Sequence, residues 1–269
     1  MSALTFTLKK IPQQRIDCAP LTPNMLAGKS AADIGAILLQ SGNETLRADA
    51  LFDISGDNVA EIVFANGCDK LDYIGAAMQS GRITIHGDAG WYLGFRKKGG
   101  DIVLRGNAGD FAASGMTGGL LHIHGNAGDF LAAAIPGDRK GMAGGLVIVT
   151  GNAGDRAGDQ MRRGIVLIEG DAGDYCASRM IAGTIGVLGA TGAYPGYGMK
   201  RGTLLLFKPP KLHATLQDCG MHTLPFLKLM AKSFRDLPGK FAHLDQTRAR
   251  RYAGDLANDG KGEILVFSN

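Results

Sequence analysis

GLLHIHGNAGD at residues 119–129 and GLVIVTGNAGD at 145–155 are two copies of one unit, and this unit decides the fold. Each copy opens with glycine, continues as a short apolar strand and ends in a Gly-Asn-Ala-Gly-Asp turn. The glycine that ends each strand recurs at intervals of 19, 19, 26, 19 and 19 residues, so the chain is a repeat protein. The other clear copies are GRITIHGDAGW at 81–91, GDIVLRGNAGD at 100–110, GIVLIEGDAGD at 164–174 and GTIGVLGATGA at 183–193.

A column of methionines supports the same period. Six repeats carry methionine three residues before the opening glycine, and only Lys97 breaks the series. Because flexible apolar side chains at one repeat position fill the inside of a stack, we expect this column in the core rather than at a copper or haem site. The column consists of Met78, Met116, Met142, Met161, Met180 and Met199.

A unit of 19 residues is too short for a strand, a helix and two loops, so it must stack on its neighbours to bury its apolar face. The repeats therefore predict a mainly β fold, a right-handed parallel β-helix (solenoid) of about seven 19-residue coils, with rungs roughly 4.8 Å apart. The one long interval holds an insertion, AAAIPGDRKG at 132–141. The Asp or Asn after each strand-ending glycine is expected to bond turn backbone.

The two ends of the chain lack the repeat and predict small α/β caps. In the N-terminal cap, residues 1–60, we expect a strand at Thr5–Leu8 and a helix opened by Ser30, with Asp33 as its capping partner. The β-helix itself is assigned to residues 61–207.

Residues 208–269 are predicted to pack on the solenoid through a helix and a strand. The helix lies around 223–236, and the strand, EILVF, at 263–267. One stripe of the helix is expected to be apolar. It comprises Phe226, Leu227, Met230 and Phe234.

The strands carry apolar residues on both faces, which is typical of strands covered on both sides. The middle, outward positions form a wall that we expect a terminal segment or another subunit to cover. This wall comprises Val103, Ile148, Leu167 and Leu205.

Composition excludes several classes of protein. Hydrophobic residues make up 45% of the chain, the net charge is +4, and no apolar run is long enough to cross a bilayer. The N-terminus lacks the features of a signal peptide, and the four cysteines form no CxxC pair. We therefore expect a cytoplasmic protein with reduced thiols that contacts neither membrane nor nucleic acid.

The sequence offers no catalytic set. The GNAGD turns recur without a following helix, which excludes a phosphate loop. His122 and His124 have the HxH spacing of a zinc site but no third ligand, and Arg105 stands between His86 and His124. We predict no catalytic residue, no metal site and no cofactor bound covalently or through a metal in this chain. A free-standing β-helix carbohydrate-active enzyme is the alternative, although Trp91 is the only tryptophan.

Seven basic residues lie near the corners of the later repeats, where stacking brings several of them onto neighbouring edges. Two interpretations stay open: solvated side chains that balance the aspartates of the turns, or a rail that contacts an extended polyanion or the acidic face of a partner. These residues are Arg139, Lys140, Arg162, Arg163, Arg179, Lys200 and Arg201.

The tandem coils resemble the GXGXG β-helix domain. That domain forms the C-terminal part of the large glutamate synthase subunit and the C subunit of formylmethanofuran dehydrogenases. Four stretches are similar to the second branch: IPGDRKGMAGG (135–145), MRRGIVLIEG (161–170), GMKRGTLLL (198–206) and RYAGDLANDGKGEIL (251–265).

This resemblance implies a non-catalytic structural subunit in one-carbon metabolism. The C-terminal region favours the bacterial formyltransferase/hydrolase complex. That complex moves a formyl group from formyl-tetrahydromethanopterin to a methanofuran-type carrier and hydrolyses the product to formate. The implied partners are the A subunit with the metal-dependent hydrolase, the B subunit, the D subunit with the transferase, and the carrier with its polyglutamate tail. The alternative is the C subunit of archaeal molybdenum- or tungsten-dependent formylmethanofuran dehydrogenase.

Overall fold

The computed structural model describes residues 2–267, and these residues form mainly β-strands with four short α-helices. The mainly β class predicted from the repeats is confirmed. The strands are β1 (Ala3–Leu8), β2 (Ile16–Asp17), β3 (Leu38–Ser41), β4 (Glu44–Arg47), β5 (Phe52–Ser55), β6 (Asn58–Gly67), β7 (Leu71–Asp72), β8 (Arg82–Gly87), β9 (Asp101–Leu104), β10 (Leu120–Ile123), β11 (Ala143–Val149), β12 (Arg163–Ile168), β13 (Thr184–Val187), β14 (Arg201–Leu206), β15 (Gln217–Thr223), β16 (Arg248–Gly254) and β17 (Lys261–Val266). The helices are α1 (Pro23–Leu26), α2 (Ala31–Gly35), α3 (Ala48–Leu51) and α4 (Phe226–Phe234).

One sheet contains thirteen of these strands, in the order β15-β16-β17-β14-β13-β12-β11-β10-β9-β8-β6-β1-β5. From β8 to β14, each strand pairs in parallel with the strand of the next repeat. His122, for example, lies between Val103 and Ile148. The sheet order follows the repeat order because each repeat contributes one strand. A small second sheet has the order β4-β3-β2-β7.

Successive repeats also contact one another away from the strands. The alanine of each turn bridges in parallel to the alanine of the next, from Ala89 to Ala172, and the last bridge ends at Thr191. On a further side, the amide of Arg179 donates a hydrogen bond to the carbonyl of Tyr197, N···O 2.7 Å. Each repeat is thus bonded to the next along its strand, its turn and its far corner.

The side chains of the turns form ladders along the stack, as the sequence predicts. Asn126 Oδ1 accepts a hydrogen bond from the backbone N–H of Asn152 at 2.8 Å, and Asn152 Oδ1 accepts one from Asp171. The acceptor of each rung therefore bonds backbone of the following repeat. The approach is close: a Cβ on Gly151 would stand 2.4 Å from Asn126 Oδ1, which explains the glycine at this position.

The methionine column lies in the core, and all six side chains are fully buried. Their expected interior position is confirmed. Lys97 occupies the one position of the column that is not methionine, between Met78 and Met116, and it is also fully buried. Its Nζ donates a hydrogen bond to the carbonyl of Gly118 at 3.0 Å. Burial disfavours the charged ammonium and lowers the pKa of Lys97 to about 8.

At the N-terminal end, both predicted elements are confirmed. Strand β1 includes Thr5–Leu8 and lies between β5 and β6 in the large sheet. Helix α2 opens at Ser30, whose hydroxyl accepts from the Asp33 amide while the Asp33 carboxylate accepts from the Ser30 amide. This reciprocal pair is the predicted capping box.

The C-terminal end departs from the prediction in the length of its helix and in the residues that the helix buries. Helix α4 is shorter than expected, and its buried stripe comprises Leu227, Ala231 and Phe234. Phe226 was predicted on that stripe, but it is 40% exposed, because it lies one position before Leu227 and so is turned about 100° from the buried stripe; Met230 is partly buried against the apolar cluster. The closing strand, β17, pairs in parallel with β14 and so extends the stack by one strand.

Candidate functional site

The outward wall of the large sheet is covered in its later half. Leu167 and Leu205 are fully buried in an apolar cluster with Phe234 and Phe241 of the C-terminal segment. Gly186, between them in the sheet, is in close contact with the Phe241 ring: a Cβ there would stand 2.7 Å from a ring carbon.

The earlier half of the wall carries different chemistry. Val103 is half-buried and belongs to no apolar cluster, and Thr84 beside it is half-buried too. Ile148, in the strand between the two halves, is buried. The four predicted wall residues therefore divide: three are buried, and Val103 stays at the surface.

The histidines belong to this earlier half. The rings of His122 and His124 stack at 4.1 Å, and Arg105 Nη1 lies 2.9 Å from His124 Nε2. Because a guanidinium only donates, His124 Nε2 is the acceptor and the ring is neutral. Burial, with His124 and Arg105 as further causes, lowers the pKa of His122 to about 4.

The structure brings three of the seven predicted basic residues together. Arg139, Arg179 and Lys200 line one surface depression of about 540 Å³, which also includes Tyr197 and Asn258. All three side chains are exposed. The remaining four, which are exposed but do not line this depression, are Lys140, Arg162, Arg163 and Arg201.

Arg179 is held in place by a buried carboxylate. Its Nε donates to Asp159 Oδ1 at 2.8 Å, a second guanidinium nitrogen contacts Oδ2, and the Asp159 side chain is only 2% exposed. Ser178 Oγ donates to the same carboxylate at 2.8 Å. The hydrogen bond to Asp159 is also the main reason why the pKa of Arg179 is raised. Arg179 is thus a fixed positive charge.

A second depression, of about 450 Å³, adjoins the first and shares Arg179 and Tyr197 with it. Its other walls are aromatic: Tyr175 and Tyr194 stack at 5.2 Å, and the Arg156 guanidinium lies 4.7 Å from the Tyr175 ring centre. Guanidinium groups over aromatic faces gain a cation–π attraction. Together the two depressions form a groove with both cationic and aromatic walls.

The aromatic walls were missed in the sequence, although a signal is present. The residue that follows the turn is aromatic in six of seven repeats, and Arg156 is the seventh. A search restricted to tryptophan overlooks this column, because tyrosine and phenylalanine also stack. The aromatic members are Tyr73, Tyr92, Phe111, Phe130, Tyr175 and Tyr194.

Among residues 2–267, no three or more His, Cys, Asp or Glu side chains are grouped so that they could hold a metal ion. Over the same part of the chain, no helix has the length and apolar character needed to cross a membrane.

Comparison with known proteins gives three findings. The family model described as the GXGXG motif matches residues 70–224. The C subunit of the formyltransferase/hydrolase complex Fhc of Methylorubrum extorquens is 44% identical over 97% of this chain and 98% of its own length. The C subunit of the tungsten-containing formylmethanofuran dehydrogenase 2 of Methanococcus maripaludis is 32% identical over 35% of each chain.

A solved structure shares the whole fold. A chain in the crystal structure of the formyltransferase/hydrolase complex FhcABCD from Methylorubrum extorquens, in complex with methylofuran, superposes with a TM-score of 0.94. The two chains are 39% identical, and the match covers 98% of this chain and all of the other.

Proposed function

Because the chain belongs to the GXGXG family, as one of the C subunits of formyltransferase/hydrolase complexes, we propose that it is a non-catalytic structural subunit of such a complex. The observation that carries this proposal is the full-length similarity to the C subunit of the Fhc complex. The archaeal dehydrogenase subunits match only a third of the chain and are the more distant alternative.

The complex would transfer a formyl group from formyl-tetrahydromethanopterin to a methanofuran-type carrier and hydrolyse the carrier formamide to formate. In it, the hydrolase and its metal belong to the A subunit and the transferase to the D subunit, with B as a further partner. A non-catalytic role is supported by polar side chains that already form hydrogen bonds within this chain. The turn carboxylates of Asp171 and Asp174 accept backbone N–H groups, and His124 accepts from Arg105. The cytoplasm is the proposed location.

Purification of the tagged chain from its native cells tests this function. We expect the A, B and D subunits to co-purify and the preparation to form formate from formyl-tetrahydromethanopterin. A monomer that acts alone on a carbohydrate would support the free-standing enzyme instead.

The proposed architecture is a right-handed parallel β-helix of about seven coils. It is supported by the parallel pairing of β8 to β14 and by the contacts of each repeat with the next along the turns and corners. The hand follows the general preference of parallel crossovers. An experimental density map of the chain, in which the path from one strand to the next can be traced, tests both coil number and hand.

We propose the same division of the chain as above: a cap in 1–60, the β-helix in 61–207 and a packing segment in 208–269. Limited proteolysis of the intact protein, followed by mass spectrometry, tests it. Early cleavage near 208–215, where β14 has ended, supports the boundary, whereas first cuts inside the repeats contradict it.

The basic residues are proposed to contact the polyglutamate tail of the carrier, or the acidic face of a partner, through the groove described above. The convergence of Arg139, Arg179 and Lys200 in one depression supports a contact with several carboxylates. Each exposed pair stabilises by only about 0–1 kcal/mol, so several must act together and binding should weaken with salt.

The best variant to test the groove is Arg139→Gln with Lys200→Gln, because neither side chain forms an ion pair within residues 2–267. Arg179→Gln would leave the buried Asp159 without its cationic partner, so a change in binding could not be distinguished from a change in stability. Lys98→Gln is a matched control, since Lys98 occupies the place of Lys200 in an early repeat.

We expect the double variant to retain less carrier while each half-reaction with a truncated carrier survives. Equal carrier retention in the double variant at low salt would show that these residues are only a solvated surface.

A further inference from the structure

The excess positive charge of the protein is concentrated in its last segment. Residues 208–269 contain ten Lys and Arg and six Asp and Glu, whereas residues 1–207 contain nineteen of each kind. The net charge of +4 therefore arises entirely after the last repeat.

Half of the acidic side chains in this segment are already engaged. Asp218 pairs with Arg250, Glu263 pairs with Arg251, and Asp255 accepts hydrogen bonds from two backbone N–H groups. The cations of helix α4 and its C-cap are left over: within residues 2–267, Lys228, Lys232 and the C-cap residue Arg235 have no carboxylate within ion-pair distance. The outer side of this helix is consequently positive.

The adjoining part of the α4 surface exposes large apolar side chains. Leu229 is 72% exposed, the highest value among the large hydrophobic residues of 2–267, and Phe226, three positions earlier, is 40% exposed. The inner side of the helix is already occupied, because Leu227 and Phe234 pack in the cluster that covers the sheet. Residues three apart share a helix face, so Phe226 and Leu229 form one apolar patch beside the lysines.

We propose that the outer face of α4, formed by Phe226, Leu229 and Lys232 and flanked on one side by Lys228 and the C-cap residue Arg235, docks an acidic surface of a partner protein of the complex. The inference rests on the proposed function, under which the chain is a subunit. An apolar centre with charged residues at its rim is the usual anatomy of a protein interface. Because these cations form no ion pair with carboxylates of this chain, we expect the docking surface of the partner protein to be negatively charged.

A partner protein accounts for this face better than an anionic membrane surface. Helices that lie in a membrane interface bury a broad apolar face among the lipids. Helix α4 has nine residues, its broad apolar face is packed on the sheet, and only two large apolar side chains remain outside.

Leu229→Asp in the tagged full-length chain tests the proposal, with the A, B and D subunits in the purified complex quantified by mass spectrometry. We expect at least one of the three to be lost about tenfold, the effect of removing one important interface residue. Ile11→Asp is the matched control, because Ile11 is 68% exposed and lies in the N-terminal part of the chain. Unchanged thermal unfolding of both variants shows that neither is misfolded.

A zero-length cross-linker that joins amines to carboxylates tests the charge of the partner directly. We expect links from Lys228 or Lys232 to acidic residues of the subunit lost in Leu229→Asp. The double variant Lys228→Glu, Lys232→Glu should lose the same subunit, and raised salt should weaken its retention by the unmodified chain.

The outcomes separate this inference from the proposed function. If the unmodified chain retrieves A, B and D, and Leu229→Asp does so equally, the docking face is wrong and the function stands. Equal losses with Ile11→Asp also contradict the docking face. If the unmodified chain retrieves none of these subunits, the proposed function fails. Binding of the purified chain to anionic phosphatidylserine vesicles that Leu229→Asp abolishes, with the subunits retained, would overturn the protein partner.

Discussion

The early and the late halves of the outward wall are built from the same repeat on the same sheet, yet their side chains differ in polarity and in burial. In the late half, Leu167 and Leu205 are covered by the C-terminal segment. In the early half, Thr84, Val103 and His122 occupy the equivalent positions, and Thr84 and Val103 keep partial contact with solvent.

The contrast between the halves shows that the repeat specifies only the side chains that face inward. Every repeat must present apolar side chains to the common core, because a single repeat cannot bury them alone. The outward positions are free to vary: they are apolar where another segment covers the strand and more polar where solvent reaches it. The core is nearly uniform for the same reason, and Lys97 is its one charged member among the methionines.

The largest difference between the halves should follow from placing lysine on the wall. Leu167→Lys buries an unpaired charge in the covered half, and we expect a loss of about 3–5 kcal/mol in the free energy of unfolding. Val103→Lys, in the uncovered half, should change it by less than about 1 kcal/mol. Urea denaturation of both variants measures the contrast. Where Leu167→Lys yields no soluble protein, Leu167→Ala should still cost about 2–5 kcal/mol; equal effects at the two positions would contradict the division of the wall.

Restoring the methionine column in the early half should stabilise the protein. Lys97→Met removes an ammonium whose pKa is lowered to about 8, and we expect a gain of roughly 1–3 kcal/mol at pH 7. In the unmodified protein the unfolded state binds this proton more tightly, so stability should rise between pH 8 and about 10.5. That rise should disappear in Lys97→Met. Unfolding curves from pH 7 to 10.5 check it, and an identical pH dependence in both proteins would show that Lys97 is solvated.

The contact between the C-terminal segment and the late wall can be tested at its closest point. In Gly186→Ala the new Cβ would meet the Phe241 ring at 2.7 Å, and we expect a loss of about 1–3 kcal/mol. The equivalent early position takes the control Thr84→Ala, which should change stability by less than about 1 kcal/mol. A thermal shift of the same size in both variants would mean that Phe241 does not rest on this strand.

The smallest expected effect concerns acid sensitivity of the early half. The folded-state pKa of His122 is lowered to about 4, so its neutral ring favours folding, and this contribution is lost as pH falls from about 6.5 towards 4. His122→Val should therefore reduce the loss of stability between pH 7 and 5 by roughly 1–2 kcal/mol. Denaturation at the two pH values measures it, with an NMR titration of the His122 ring as the direct check; a ring pKa near 6.5 would contradict the burial.

The groove around Arg139, Arg179 and Lys200 could be predicted from the sequence only in part. The basic residues were found because charges stand out at a fixed period, and three of them do converge. Their aromatic neighbours Tyr175 and Tyr194 follow the same period, but in the sequence they resemble ordinary turn residues. The sequence gives no sign of the role of Asp159, because the burial of this carboxylate under Arg179 depends on how two successive repeats pack.

The features that all repeats share can be read from the amino-acid sequence. Its 19-residue period, its methionine column and its turn ladders follow from one requirement, that each unit bury its face on identical neighbours. The features that differ from one repeat to another depend on long-range packing. The halves of the wall, the exposure of Phe226 and the direction of α4 depend on where the C-terminal segment folds back. The repeat does not reveal this packing, because it occurs once in the molecule and joins residues far apart in the chain.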